Sequence, residues 1–162
     1  MMFDSPASYL DEPVRVASAA SLLARTADAL DLYNAAKVAH WCIRGPHFGD
    51  LHALFGEVAD TFADHADLFA ERAAALGAPA QVTSQAVVST SRMEPYPRTL
   101  TTGTEHITAL FERLKAYTAL LCELVCAATV ARDVVTANLV TDAMGAVEKL
   151  GWKLMAHLQA PA

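Results

Sequence analysis

Two groups of residues in this chain have the types and spacing that metal chemistry needs. His40 and His52 lie on either side of Gly45-Pro46 in the stretch HWCIRGPHFGDLH. Further on, Asp60, Asp64, Asp67 and Glu71 recur at spacings of four, three and four. At 100° per residue such a series forms one narrow acidic stripe on a helix. Most acidic stripes are solvated faces, but crowded like charges favour a cation or a partner, and Leu68, Phe69 and the surrounding alanines leave little wholly polar surface here. A site of histidine plus carboxylate suits Fe(II), Mn(II) or Zn(II) better than Mg(II) or a thiophilic metal. The two groups cannot meet within one chain. On a helix rising 1.5 Å per residue, Asp67 is ~22 Å and Glu71 ~28 Å from His52. Two chains set antiparallel across a two-fold axis would bring the histidines of one to the carboxylates of the other, in two equal sites.

The elements that must carry these residues are helices. Four stretches have helical spacing and few breakers, and they predict bundle helices over 16–43, 49–76, 104–132 and 135–159, within a single domain spanning 1–162 and preceded by an extension, 1–15. Gly45-Pro46 ends the first, and Gly77 followed by Pro79 ends the second. A crossover, 78–103, holds several prolines and many Ser and Thr, with one short helix expected around 83–90. No segment alternates with period two, so strands are not expected. Short link, long link, short link gives an all-α fold: a ferritin-like four-helix bundle with one long crossover. The usual di-iron bundle site needs Glu-x-x-His on each of two helices. No glutamate of this chain has a histidine three residues on, which excludes a site of that kind.

Composition narrows the function further. The chain has 162 residues, is 54% hydrophobic and carries a net charge of −6. That supports one real core, yet no apolar run approaches the ~18 residues of a membrane span. The N-terminal residues lack the basic and apolar regions of a signal peptide. Three cysteines, Cys42, Cys122 and Cys126, do not make a disulfide framework, and a cytoplasmic location is expected. Residues 1–15 carry Asp4, Asp11 and Glu12 against Arg15 alone, and the chain ends QAPA. Neither end is a basic arm, so DNA binding is not expected.

Several motifs in register carry a resemblance. His40-Trp41, Gly45-Pro46-His47-Phe48, Leu51-His52 and Asp67-Leu68-Phe69-Ala70-Glu71-Arg72, with Tyr96-Pro97, Glu148-Lys149 and Trp152, span nearly the whole chain. Together they resemble the Dps family, the mini-ferritins. The resemblance implies a hollow dodecamer with ferroxidase sites at two-fold interfaces. Matched residue by residue, it implies that His40 and His52 of one subunit and Asp67 and Glu71 of its neighbour hold iron, with Glu71 as the bridge if two irons bind. Trp41 would lie beside the site as a radical or electron sink. The implied activity is oxidation of Fe(II) by hydrogen peroxide or dioxygen and storage of the ferric product, with Zn or Mn as possible surrogates. The alternative is a cage with a degenerate site, acting as a DNA-associated or structural metal-binding shell.

The sequence departs from that pattern in places. Most family members have a carboxylate four residues after the second histidine, where this chain has Gly56. Glu57 is offset by ~140° from His52 on the helical wheel, against ~40° for position 56, and is a poor substitute. The second iron site is therefore expected to be weak or water-filled. Cys42 replaces the usual Asn and is expected to be buried and inert. Asp133 and Asp142 match acidic residues of the family's iron-entry pores, with Asn138 between them. His47 and His65 are expected in surface or outer-shell roles, and His106 and His157 in ordinary polar roles at helix ends. Cys122 and Cys126, at i and i+4, are expected to pack, and Trp152 to anchor the core or an interface.

Overall fold

The computed structural model describes residues 8–159. Five helices follow one another: α1 (Glu12–Cys42), α2 (Phe48–Ala75), α3 (Ser84–Thr90), α4 (Gly103–Val130) and α5 (Val134–Ala156). No strand occurs among the described residues. α1 packs along α2 and α4 along α5; α1 also touches α3 and α4, and α2 touches α5. This is the all-α, ferritin-like bundle expected from the spacing of apolar residues.

The helix ends follow from local chemistry. α1 starts at Glu12, earlier than the expected residue 16, because Pro13 in its first turn is preset to the helical φ. Its C-terminal turn gives way to Gly45 at φ 91° and His47 at φ 63°, left-handed positions that fold the chain back into α2. α2 ends in a Schellman motif, with Ala78 N–H donating to Ala73 O and Gly77 N–H to Ala74 O. α4 opens on a capping box: the Thr102 hydroxyl accepts from Glu105 N–H, and Glu105 accepts from the Thr101 and Thr102 backbone. Those hydrogen bonds hold the Glu105 carboxyl down at about 2.

The core is aliphatic and aromatic, with Leu22, Leu32, Phe55, Phe62, Phe69, Leu110, Leu114, Leu121 and Leu154 essentially inaccessible. Several polar groups lie inside it, and three of these features bear on the sequence readings. Asp133, fully buried, caps α5 through Thr136 N–H and receives the Thr136 hydroxyl at 2.6 Å. Arg72 of α2 donates to the same carboxylate at 2.8 Å and to the Thr136 hydroxyl oxygen at 3.1 Å. Burial pushes Asp133 up, but the hydrogen bonds from Thr136 and Ser18 and the Arg72 charge outweigh it and hold the carboxyl below its usual value. Asp133 is therefore a structural anchor among α1, α2 and α5, which corrects its reading as a pore acid. Asp142 and Asn138 are exposed.

His65 is the second feature. It lies opposite Asp67 on the helical wheel, as its spacing requires, but that side of α2 is the core side. Its ring sits among Phe62, Phe69 and Tyr117, with centroids 5.8, 5.8 and 6.3 Å away. The expectation of a surface or outer-shell role is corrected: His65 is a core residue. Burial drives its pKa down to about 4, partly offset by Asp64. The third is His106, also buried, whose Nδ1 meets the Tyr96 hydroxyl at 2.7 Å. The cysteines differ from expectation too. Cys42, Cys122 and Cys126 are all exposed in the isolated chain, as is Trp152. Residues 1–7 and 160–162, which include much of the expected extension and the end of the QAPA tail, lie outside the described residues.

Two stability measurements follow. Asp133→Asn keeps a cap but removes the buried charge facing the half-buried Arg72, and should cost about 3 kcal/mol at pH 7. Because the folded-state pKa is depressed, the wild-type contribution is present above the ordinary carboxylate range and is lost as pH falls through the folded value. Urea melts should thus show the variant and wild type converging on acidification. For His65 the folded pKa of about 4 lies below the ordinary 6.5, so its contribution is complete above 6.5 and is lost as pH falls from 6.5 to 4. His65→Leu should gain on wild type across that window, and a difference independent of pH would contradict the burial of a neutral imidazole.

Candidate metal centre

The chain reversal after α1 sets His40, in the last turn of α1, against His52, in the first turns of α2. Their rings stack with centroids 3.6 Å apart and planes 24° apart. Each reaches across to the other's backbone: His40 Nδ1 lies 2.7 Å from His52 O, and His52 Nδ1 lies 2.8 Å from His40 O. A carbonyl oxygen only accepts, so both Nδ1 atoms must carry the proton. In the neutral rings this leaves the Nε2 lone pairs free, and neither Nε2 has a partner among the described residues. A backbone carbonyl on the far nitrogen is the outer support that orients a metal-binding histidine.

The two helices donate the carbonyls differently. His40 O belongs to the C-terminal turn of α1, where helix carbonyls have no onward N–H, and His52 Nδ1–H satisfies it. His52 O is inside α2 and accepts the His40 imidazole with its second lone pair. The His40 ring runs past Gly56. A Cβ placed on it would lie 3.5 Å from His40 Nδ1, in ordinary contact with the ring edge. Phe48 flanks the other side, with its ring centroid 5.1 Å from that of His52.

Asp67 and Glu71 are exposed on α2, far from this pair. Neither has a hydrogen bond or ion pair among the described residues. Asp67 borders a shallow cavity of about 400 Å³ with Thr26, Leu30 and Tyr33 of α1. Asp60 and Asp64 are exposed as well, so the whole stripe faces outward. Trp41 is 68% exposed, with Lys37 Nζ 5.7 Å from its ring centroid. The fold thus brings His40 and His52 together and keeps Asp67 and Glu71 apart from them. Among the described residues no three His, Cys, Asp or Glu side chains converge within one chain.

Glu57 is occupied elsewhere: its carboxylate accepts from Lys153 Nζ of α5. The helical angle foretold that it points away from His52; its partner, 96 residues on, was not foreseeable. Sequence reasoning also missed the Tyr96–His106 pair. The hydroxyl and imidazole are ten residues apart across the end of the crossover, a spacing with no regular periodicity.

A model of the ferritin-like domain matches residues 19–161 of this chain. A DNA protection during starvation protein from Agrobacterium fabrum is 33% identical over 133 residues, covering 82% of both chains. Among solved structures, DpsC from Streptomyces coelicolor superposes with a TM-score of 0.93 at 22% identity, over all of this chain and 94% of that one. A Dps protein from Vibrio cholerae O1, described as a member of a superfamily of ferritin-like diiron-carboxylate proteins, gives 0.89 at 23% identity over 98% of each chain. The bundle, the crossover and the extent of these matches establish that the chain belongs to the Dps family of ferritin-like proteins.

Proposed function

We propose that this protein is an iron-oxidising and iron-storing mini-ferritin of the cytoplasm. It binds Fe(II) as substrate between subunits, oxidises it with hydrogen peroxide and retains the ferric product in a dodecameric shell. The observation that carries this reading is the pair of stacked imidazoles, each with Nδ1–H fixed on a carbonyl and Nε2 free. Two preset nitrogen donors with no third ligand among the described residues are half of a site. The unpartnered carboxylates of Asp67 and Glu71 are the complementary half, offered to a neighbour related by a two-fold axis. Imidazole and carboxylate together suit Fe(II), and Zn(II) or Mn(II) as surrogates; carboxylate charge favours the ferric product. The same assembly would place the exposed Trp41 beside the metal. Protection would come from removing ferrous iron and peroxide, since 12 basic against 18 acidic residues give little attraction for DNA phosphates.

The trans arrangement has a direct test. His40→Ala and Asp67→Ala should each abolish peroxide-driven iron oxidation, with rates falling by at least roughly 10-fold, the loss that removing even an outer partner of a ligand can cause. Co-assembled in equal amounts, the two variants should recover activity. A mixed dimer has one site with both defects and one with neither, so random pairing restores about a quarter of the wild-type sites. No recovery in verified mixed shells would exclude shared sites.

The iron count tests Gly56. With no carboxylate there and Glu57 held by Lys153, wild type should bind one ferrous ion tightly per site. Gly56→Asp, whose Cβ fits against the His40 ring, should raise this towards two in anaerobic titration. It should also remove a helix-interior glycine that costs roughly 1 kcal/mol relative to alanine. An unchanged stoichiometry would show that something other than Gly56 sets the count.

A further inference from the structure

A site that holds a single iron has an electron-counting problem with peroxide. Reducing hydrogen peroxide to water takes two electrons, and one Fe(II) supplies one. Unless a second donor is at hand, the oxygen–oxygen bond breaks to release hydroxyl radical. This rests on the ferroxidase reading above and asks which residue of the chain supplies the missing electron.

Tyr96 has the surroundings such a donor needs. Its hydroxyl lies 2.7 Å from His106 Nδ1, and the two rings are stacked 6.0 Å apart at 11°. His106 is 1% exposed and its Nε2 meets no partner. If Tyr96 donates to Nδ1, the only unmet group is the imidazole Nε2–H. The reverse assignment would leave Nε2 without a donor as well as the phenol hydrogen without an acceptor, so the phenol is the donor. Burial pushes Tyr96 above its ordinary value, opposed by Arg113, so the phenol is protonated at neutral pH. Burial also lowers His106, keeping it a neutral base. Among the chain's four tyrosines, Tyr96 is the one whose hydroxyl sits on a base among the described residues. Tyr9 donates to the Arg132 carbonyl, and buried Tyr117 has no partner.

The pair is also tied to the histidine site. The His106 ring meets Phe55 edge-on at 6.1 Å. Phe55 lies three residues after His52 and immediately before Gly56, on which the His40 ring rests. Arg113 fixes the phenol in place: its guanidinium lies 4.9 Å over the ring and donates to the carbonyls of Glu94 and Pro95.

We propose that Tyr96 is the second electron donor to peroxide, giving its phenolic proton to His106 as it is oxidised. Fe(II) loses one electron and becomes Fe(III). Tyr96 loses one electron and its O–H proton, becoming a neutral tyrosyl radical beside a His106 imidazolium. The two electrons, with two protons from solvent, cleave the oxygen–oxygen bond of hydrogen peroxide to two waters. A second Fe(II) arriving at the site then reduces the radical, and His106 returns the proton. The net reaction is two Fe(II) oxidised per peroxide, from a site that holds one iron at a time.

The experiment mixes the intact assembly, loaded anaerobically with one Fe(II) per site, with equimolar hydrogen peroxide. Samples are frozen rapidly for electron paramagnetic resonance and assayed in parallel for spin-trapped hydroxyl radical. Wild type should show a tyrosyl signal that narrows in protein made with ring-deuterated tyrosine, and little trapped hydroxyl radical. Tyr96→Phe, which removes one oxygen from a partly buried ring, should still oxidise iron but lose that signal and release more hydroxyl radical. His106→Gln, with folding checked by its melting transition, should weaken the signal while Tyr96 is present. A tyrosyl signal unchanged in Tyr96→Phe, or an indolyl signal alone that disappears in Trp41→Phe, would overturn the proposal. Absence of peroxide-driven iron oxidation in wild type would remove the ferroxidase reading, and the proposal with it.

Discussion

The reciprocal hydrogen bonds between His40 and His52 are the constraint on which the rest of the candidate site depends. Each ring is held by the other residue's backbone, so neither can rotate without breaking a bond that also fixes the reversal between α1 and α2. Neutral imidazole has one donor and one acceptor. Committing both donors to carbonyls sets the tautomer of both rings and leaves two acceptors of fixed direction. The reversal is built to serve this contact: Gly45 and His47 adopt left-handed backbone conformations within three residues, which closes the turn tightly enough for the rings to stack. A looser link would leave two histidines on neighbouring helices but no preset donor pair.

The same rigidity keeps the histidine pair and the carboxylates apart within one chain. α2 is continuous from Phe48 to Ala75 and carries both His52 and the Asp67–Glu71 pair. A straight helix cannot bring residues fifteen positions apart to a common point, and the inward side of α2 is already filled by Phe55, Phe62, His65 and Phe69. The acidic stripe must face out, and the histidine pair gains no carboxylate from it within the chain. Arg72 reinforces this. Next to Glu71, it turns inward to the buried Asp133 carboxylate, which fixes the rotation of this end of α2 against α5 and leaves Glu71 on the outer face.

Periodicity and breakers made the fold legible in the sequence: the helices, the crossover with its short α3, and the stop at Gly77 follow from local patterns. The separation of the histidine pair from Asp67 and Glu71 along α2 was legible because helical rise is a fixed length. Interactions between residues far apart in the chain were not. Asp133 reads as a pore acid near a helix start until Arg72, 61 residues away, is found against it. Glu57 reads as a spare carboxylate until Lys153 is seen to hold it. His65 was misread for a different reason. The wheel placed it correctly opposite the acidic stripe, but on an amphipathic helix the opposite of the solvent face is the core, where burial can hold a histidine neutral.

Gly56 connects the architecture to the chemistry. The His40 ring bonds to the carbonyl of His52, four residues before Gly56, and runs alongside the helix surface there. A small residue at position 56 leaves that surface open, at the cost of a helix-weakening glycine and of a carboxylate next to the imidazoles. The chain does not replace that charge locally: Glu57 points to α5, and no third His, Cys, Asp or Glu among the described residues converges on the histidine pair. What lies behind the site instead is aromatic: Phe55, His106 and Tyr96 lead in steps of about 6 Å towards the crossover, each ring buried or partly buried and Tyr96 secured by Arg113. A site with fewer charges to hold a second metal ion is backed by a phenol hydrogen-bonded to a base, the group proposed above to supply peroxide with its second electron.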